Sequence, residues 1–339
     1  MKWDIYKSKF IGEAKEKKIS EKMIEKYLDY AKNLYDNNLM IIYDQNHLAK
    51  LIGIDSEYLH RMSNAPEFFY RSFYILKRNG KKRRIDEPLP DLKKVQSWIL
   101  QNILYRIPCS KFAKAYIPTV SIKENARFHR KQNMVVAIDL KNFFNSIKSG
   151  YVLDAFLKSG YCMSVSVLLT RLCCFKESLP QGAPTSAYLS NIIMRNFDNK
   201  LSAYCISNKI RYTRYADDLT FSGEIKVARL LNLIDYELKN LGLIRNNKKF
   251  KVMRTGSRQQ VTGIIVNEHQ QLSREYRMKI RQEIHYIKRF GLDNHLSHTG
   301  ESRANYLKHL VGKINYSLFI NPKDKKMQEY FQIVQSYMN

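Results

Sequence analysis

Three aspartates of this 339-residue chain stand where metal-assisted phosphoryl transfer would need them. Asp217 and Asp218 are adjacent within TRYADDLTF (213–221), flanked by the apolar or aromatic Tyr212, Tyr215, Leu219 and Phe221. Asp139 ends the apolar run MVVAID (134–139). Adding a nucleotide to a growing strand uses two divalent cations roughly 3.5–4 Å apart, one activating the attacking hydroxyl and one holding the leaving pyrophosphate. Mg²⁺ takes hard oxygen ligands, so the protein must converge two or three carboxylates. Successive side chains of a strand point to opposite faces, and an Asp-Asp pair serves one site only when bent in a tight turn. By itself the doublet is a weak signal, and a surface turn is its ordinary reading. The strand-end acid earlier in the chain separates the two readings.

The elements that must hold these carboxylates can be read from periodicity. Residues 134–139 have the profile of a buried strand with a carboxylate at its tip, and 211–222 alternate about a turn at Ala216-Asp217. FYRSFYIL from Phe69, a turn at Asn79-Gly80 and KKRRIDEP (81–88) predict a hairpin, followed by an amphipathic helix over 95–104. After Pro184 the stripe Leu189, Ile193, Phe197, Leu201 predicts one continuous helix; 229–241 is helical and VTGIIV (261–266) reads as a further strand. Residues 1–66 look helical, and 44–63 predicts two short helices joined at Gly53. That pair reads as a packed helical hairpin, with a DNA-reading helix-turn-helix as the alternative. From about 272 the chain reads as all helix. Ser273 caps a stripe of Tyr276, Ile280, Ile284 and Ile287 stopped by Gly291, a second helix covers about 302–319, and a third starts at Asn321-Pro322. The expected divisions are a helical segment at 1–66, a core at 67–271 and a helical lobe at 272–339.

Composition narrows the partner. Lys and Arg number 58 against 31 acids, a net charge of +27, which attracts polyanions. No run of about 18 apolar residues exists to cross a membrane, and MKWDIYKSKF lacks a signal-peptide core. The five cysteines fit neither zinc spacing nor a disulfide framework, so the chain is expected to be cytoplasmic, with no membrane partner. The basic excess is strong over 245–339, compatible with a lobe that grips a nucleic-acid backbone.

On these residues the chain resembles the reverse transcriptases. Tyr215-Ala216-Asp217-Asp218 matches their YxDD box, LKNFFNSI (140–147) follows Asp139 as in their first catalytic motif, and Leu179-Pro180-Gln181-Gly182 matches their LPQG box. Leu241-Gly242-Leu243 followed by Lys248-Lys249 resembles their later lysine motif. The resemblance implies an α+β right-hand polymerase with fingers, a palm whose antiparallel sheet is backed by helices, and a helical thumb. It also implies an RNA-directed DNA polymerase, a nucleotidyltransferase using two Mg²⁺ ions. Asp139, Asp217 and Asp218 would then bind metal, with the Leu140 carbonyl as a further ligand. Phe144 would be the aromatic gate that rejects a ribose 2′-OH, Phe143 being the competing choice. Arg83 would clamp the triphosphate, with Lys81 and Arg84 as companions, and Gln181 and Gly182 would lie against the incoming nucleotide. Lys249 would protonate the leaving pyrophosphate, the competing reading being a solvated lysine.

Three further matches point to the retron branch: Asn125-Ala126-Arg127-Phe128-His129 fits NAxxH, Val261-Thr262-Gly263 fits VTG, and QGAPTS (181–186) fits QGxxxS. Structural readings compete here too, since Asn125 could cap a helix and His129 could be a satisfied core histidine. Membership of that branch implies that Asn125, His129, Val261, Thr262 and Gly263 hold RNA. It further implies a dedicated structured non-coding RNA as template and primer, priming from an internal 2′-hydroxyl, and a branched RNA–DNA product (msDNA). Deoxynucleoside triphosphates would be the substrates, an accessory effector protein a partner, and antiphage defence the setting. The alternatives are a group II intron-like or other defence-associated reverse transcriptase using a conventional primer, and a non-catalytic basic nucleic-acid-binding protein.

Overall fold

The structure is a computed structural model and describes residues 2–77, 80–300 and 303–338. In chain order its elements are α1 (Trp3–Glu16), α2 (Glu21–Asp36), α3 (Gln45–Ile52), α4 (Ser56–Asn64), β1 (Tyr70–Leu76), β2 (Lys82–Pro88), α5 (Pro90–Asn102) and α6 (Ile122–Arg127). There follow β3 (Met134–Asp139), α7 (Phe143–Ser146), α8 (Ser149–Lys158), α9 (Met163–Cys173), α10 (Pro184–Ile193), α11 (Arg195–Ser207), β4 (Arg211–Tyr215), β5 (Asp218–Ser222) and α12 (Val227–Lys239). The chain ends with β6 (Lys251–Arg254), β7 (Gln260–Val261), β8 (Ile264–Ile265), β9 (Gln271–Leu272), α13 (Arg274–Phe290), α14 (Leu292–Thr299), α15 (Tyr306–Ile320) and α16 (Lys325–Ser336).

Contacts divide the chain into two units, the first comprising Met1–Ile117, Leu140–Leu201 and Leu231–Arg245. It holds the antiparallel β1–β2 hairpin, in which Ile75 faces Arg83 and Tyr74 faces Arg84. Asn79 of the expected turn lies outside the described residues; Gly80 has φ 74°. Helix α5, with Leu92, Val95 and Ile99 buried, packs on α10, and α8, with Val152 and Phe156 buried, packs on α9. At the N-terminus the expected helical pair is present: Asp44 and Asp55 cap α3 and α4, and Gly53 at φ 77° closes the first.

The second unit comprises Pro118–Asp139, Ser202–Leu230 and Asn246–Asn339. Its four-stranded antiparallel sheet has the order β4-β5-β3-β6. Beside it Val261, Ile264, Val266 and Leu272 of the small β7-β8-β9 sheet share a core with Val135, Ala126 and Ile320. The helices α13–α16 have their own core, built on Ile280, Ile284, Ile287, Leu310 and Ile314. The Ser273 hydroxyl accepts from the Tyr276 N–H and Gly291 closes α13, as the sequence predicts.

Four expectations are corrected. The helix after Pro184 breaks at Met194 into α10 and α11. VTGIIV is two short strands about a turn at Thr262-Gly263, because both residues adopt positive φ (47° and 90°) and the chain reverses there. A separate helix, α14, precedes α15, which begins at Tyr306; residues 301–302, near its expected start, lie outside the described residues. The last helix is capped by Asp324, whose carboxylate accepts from the Met327 N–H, while Asn321 closes α15. No helix among the described residues is long and apolar enough to cross a membrane. None of the five cysteines forms a disulfide, and Cys173, Cys174 and Cys205 are buried.

Candidate active site

The carboxylates are delivered by strand register. Asp218 faces Asp139 across the β5–β3 ladder and Tyr215 across β4–β5. Directly opposed residues of an antiparallel pair share a face, so Asp139 and Asp218 project to the same side of the sheet. The opposite face carries Val136, Ile138, Leu219, Phe221 and Tyr212, all buried. Alternation along β3 therefore explains why an apolar strand can end in an acid on the working face.

Asp217 sits in the two-residue loop between β4 and β5. The loop opens with Ala216 at φ 58°, a conformation that favours glycine. Arg214, fully buried on the core side, donates from Nη1 to the Ala216 carbonyl at 3.1 Å and ties the turn down. In this bend the Asp217 charge acts on the Asp218 carboxylate.

The electrostatics record that convergence. Burial first, and then the charges of Asp217 and Asp139, push the Asp218 carboxyl up to about 6, against the pull of Lys249 and Lys251. Lys249 donates from Nζ to Asp139 Oδ2 at 2.5 Å, and this bond, with the Asp217 and Asp218 charges, raises the lysine above its ordinary value. Asn246 donates to Asp139 twice, from its backbone N–H to the main-chain oxygen (2.7 Å) and from Nδ2 to Oδ1 (3.0 Å). Among the described residues no group of three or more His, Cys, Asp or Glu side chains is arranged to hold a metal, both oxygens of Asp139 being engaged. The chemistry of the set still fits a divalent cation: all donors are hard oxygens, mutual repulsion at Asp218 is only partly offset by Lys249 and Lys251, and an ammonium group already takes the cation's role at Asp139.

The remaining expected residues fall into two groups. Leu140 follows Asp139 in the chain and is buried, bridging Arg245 within the first unit. In that unit the Asp86 N–H donates to the Gln181 carbonyl at 3.0 Å. Gly182 lies at φ 141°, where an added Cβ would stand 2.8 Å from the Asp86 oxygen. Phe143 is core, whereas Phe144 is half-buried with its ring 6.4 Å from Tyr116. Arg84 is committed to Asp86 Oδ1 and Ser72, while Arg83, exposed, alternates to the other face of β2.

The second group is Asn125, His129, Val261, Thr262 and Gly263, all in the second unit. Packing places the first three inside that unit. Asn125 and His129 are 0% and Val261 1% exposed. Asn125 and His129 spend their polar side-chain atoms on Thr213, Ser222 and Thr262, leaving only the Thr262-Gly263 turn at the surface. Sequence reasoning missed Thr213, Ser222, Asn246 and Arg214. For Thr213 and Ser222 the available signal was polar residues at alternate positions of the hairpin.

A family model described as reverse transcriptase (RNA-dependent DNA polymerase) matches residues 75–288. Retron Ec86 reverse transcriptase of Escherichia coli is 34% identical over 254 residues, which is 74% of this chain and 79% of that protein. Retron Mx162 reverse transcriptase of Myxococcus xanthus is 34% identical over 255 residues, 65% of this chain and 52% of that longer protein. Retron Ec83 reverse transcriptase of Escherichia coli is 29% identical over 290 residues, 79% of this chain and 90% of that protein.

Proposed function

The chain belongs to the reverse transcriptase family, in its retron branch, as an RNA-directed DNA polymerase of right-hand α+β fold, and on that premise we propose that it copies one dedicated non-coding RNA. In this reading synthesis starts from a 2′-hydroxyl inside that structured RNA, which serves as both primer and template, and the product is branched RNA–DNA. The observation that carries the polymerase chemistry is Asp139 opposite Asp218 on one sheet face, with the charges of Asp217 and Asp139 both acting on Asp218.

The family uses divalent metal ions; we assign two Mg²⁺ to Asp139, Asp217, Asp218 and the Leu140 carbonyl, where they would activate the attacking hydroxyl and neutralise the pyrophosphate. Lys249, which bonds Asp139, gives a proton to the departing pyrophosphate once that ion pair opens. Arg83 binds the triphosphate as a fixed guanidinium, Gln181 and Gly182 line the nucleotide, and Phe144 excludes ribose. Residues 67–271 act as fingers and palm and 272–339 as thumb, with the 1–66 helices packed on the fingers. The Thr262-Gly263 turn and the basic thumb take an RNA stem through shape and backbone contacts. An accessory effector and a role in antiphage defence complete the reading. Its competitor is a reverse transcriptase extending a conventional primer.

The two part in one experiment. The protein is purified with RNA transcribed from its flanking DNA and supplied with dNTPs and Mg²⁺. DNA covalently joined to RNA through a 2′ branch, absent in the Asp217→Asn, Asp218→Asn double variant, is the expected result. Extension only from an added 3′-hydroxyl primer would overturn the self-priming reading and leave the polymerase intact.

A further inference from the structure

Two of the sequence signatures meet inside the second unit. Asn125 Nδ2 donates to Thr262 Oγ1 at 3.4 Å, and Asn125 Oδ1 accepts from the Thr213 hydroxyl at 2.6 Å. His129 bonds Thr213 Oγ1 through Nε2 and Ser222 Oγ through Nδ1, both at 2.7 Å. The direction of every bond follows. Thr213 has one proton and gives it to Asn125, so it accepts from His129 Nε2–H. Nδ1 is then the acceptor of the neutral ring and takes the Ser222 proton. The result is a single file of donors, Ser222 to His129 to Thr213 to Asn125 to Thr262, with Asn125, His129, Thr213 and Ser222 all buried. Bonds in such a file polarise one another, and removing one hydroxyl leaves two buried partners unmatched.

The file is fixed to the strands that carry the carboxylates. Thr213 faces Thr220, Thr220 faces Ala137, and Ser222 faces both Arg211 and Val135. By the same register Thr213, Thr220 and Ser222 share the face that Asp218 and Asp139 occupy. Ser222 lies four residues along β5 from Asp218, about 13 Å at the usual strand rise. At its far end the file holds Thr262, a β-branched residue kept at φ 47°, a strained backbone for that type.

We propose that Asn125, His129 and Thr213 are positioning residues for nucleotide transfer, a buried donor chain that locks the β4–β5 hairpin so that Asp218 stays opposed to Asp139. The inference rests on the polymerase reading of that carboxylate site. It gives the NAxxH signature a task inside the protein, in place of contact with RNA. The chain acts through the hairpin and touches neither nucleotide nor template.

The test uses the full chain with Mg²⁺, poly(rA)·oligo(dT) and dTTP under single-turnover conditions, which separate the rate constant from the active fraction and the dTTP affinity. Thr213→Val keeps the shape and deletes the hydroxyl; Thr213→Ser keeps the hydroxyl. Thr213→Val is expected to lower the rate constant at least tenfold with dTTP affinity within twofold, and Thr213→Ser to stay within threefold of the parent. A purely structural threonine would lower the melting temperature or active fraction and leave the rate constant unchanged, which overturns the proposal. Should Thr213→Val not fold, Ser222→Ala removes the first donor of the file. A rate constant at least threefold lower supports the proposal, and an unchanged one overturns it. No incorporation by the parent chain, either on this template or on RNA transcribed from its flanking DNA, sinks the polymerase reading itself, and this inference with it.

Discussion

His129 offers the sharpest quantitative test of the buried network, because its environment forbids a charge. The neutral ring accepts at Nδ1 from Ser222 and donates at Nε2 to Thr213; an imidazolium would point two protons at two hydroxyls and gain no water. Burial, and secondarily the Arg211 charge, hold its pKa down at about 3. In the unfolded chain the ring titrates near 6.5. Between these values the unfolded chain binds a proton that the native chain refuses. Stability is therefore complete above about pH 6.5 and is lost as pH falls toward 3. The slope approaches about 1.4 kcal/mol per pH unit, and the accumulated loss at pH 5 is about 2 kcal/mol relative to pH 7.5. Carboxylates add their own pH dependence, so the comparison is with His129→Gln, which cannot titrate. Urea unfolding at pH 7.5, 6.5, 5.5 and 5.0 and constant ionic strength should give a parent curve that falls about 2 kcal/mol further than the variant's. Imidazole proton resonances of the native chain provide the direct reading. Parallel stability curves, or a His129 resonance with its midpoint between pH 6 and 7, would refute the account of a neutral, doubly bonded ring.

Three other outcomes follow from particular side chains. Gly182→Ala should destabilise the chain by roughly 2 kcal/mol or more in urea unfolding, since its φ of 141° excludes a side chain and the new Cβ meets the Asp86 oxygen. The neighbouring aromatics should behave oppositely. Phe144→Ala should relax discrimination of dNTP over rNTP by about 10–200-fold in single-nucleotide incorporation with little loss of stability, whereas Phe143→Ala, in the core, should cost about 3–5 kcal/mol in thermal unfolding. Equal effects of the two would remove the assignment of Phe144 as the gate. Asp324→Ala should cost about 1 kcal/mol through loss of the α16 cap, and Asn321→Ala distinctly less, as read by chemical denaturation.

Much of the site was legible in the chain because its chemistry is written in residue types with short-range rules. An apolar run that ends in Asp139, and an alternating hairpin that turns at Ala216-Asp217, can deliver carboxylates in few ways. The positions of β3, β4 and β5 match those expectations, as do the Ser273 cap and the Gly53 and Gly291 stops. Errors fell where local signals compete. The stripe through Leu189, Ile193, Phe197 and Leu201 is continuous, yet a single residue at Met194 interrupts the helix, and periodicity is blind to one such step. At Asn321-Pro322 the cap-like pair closes one helix, and Asp324 opens the next three residues on.

What the sequence alone determined is the family, through the motifs around Asp139, Asp217 and Asp218, the residues we propose as the reacting groups. What only tertiary structure decided is which residues face outward. NAxxH and VTG read as a surface for RNA, but packing buries Asn125, His129 and Val261 and exposes only the turn. The physical reason is that a buried polar group must find its partner, and the partners Thr213, Ser222 and Thr262 lie some 84 to 137 residues away, beyond the reach of any local pattern. The strand ladder that sets Asp218 opposite Asp139 is nonlocal in the same way, and it brings Asp139 to the end of the hairpin that carries Asp217-Asp218.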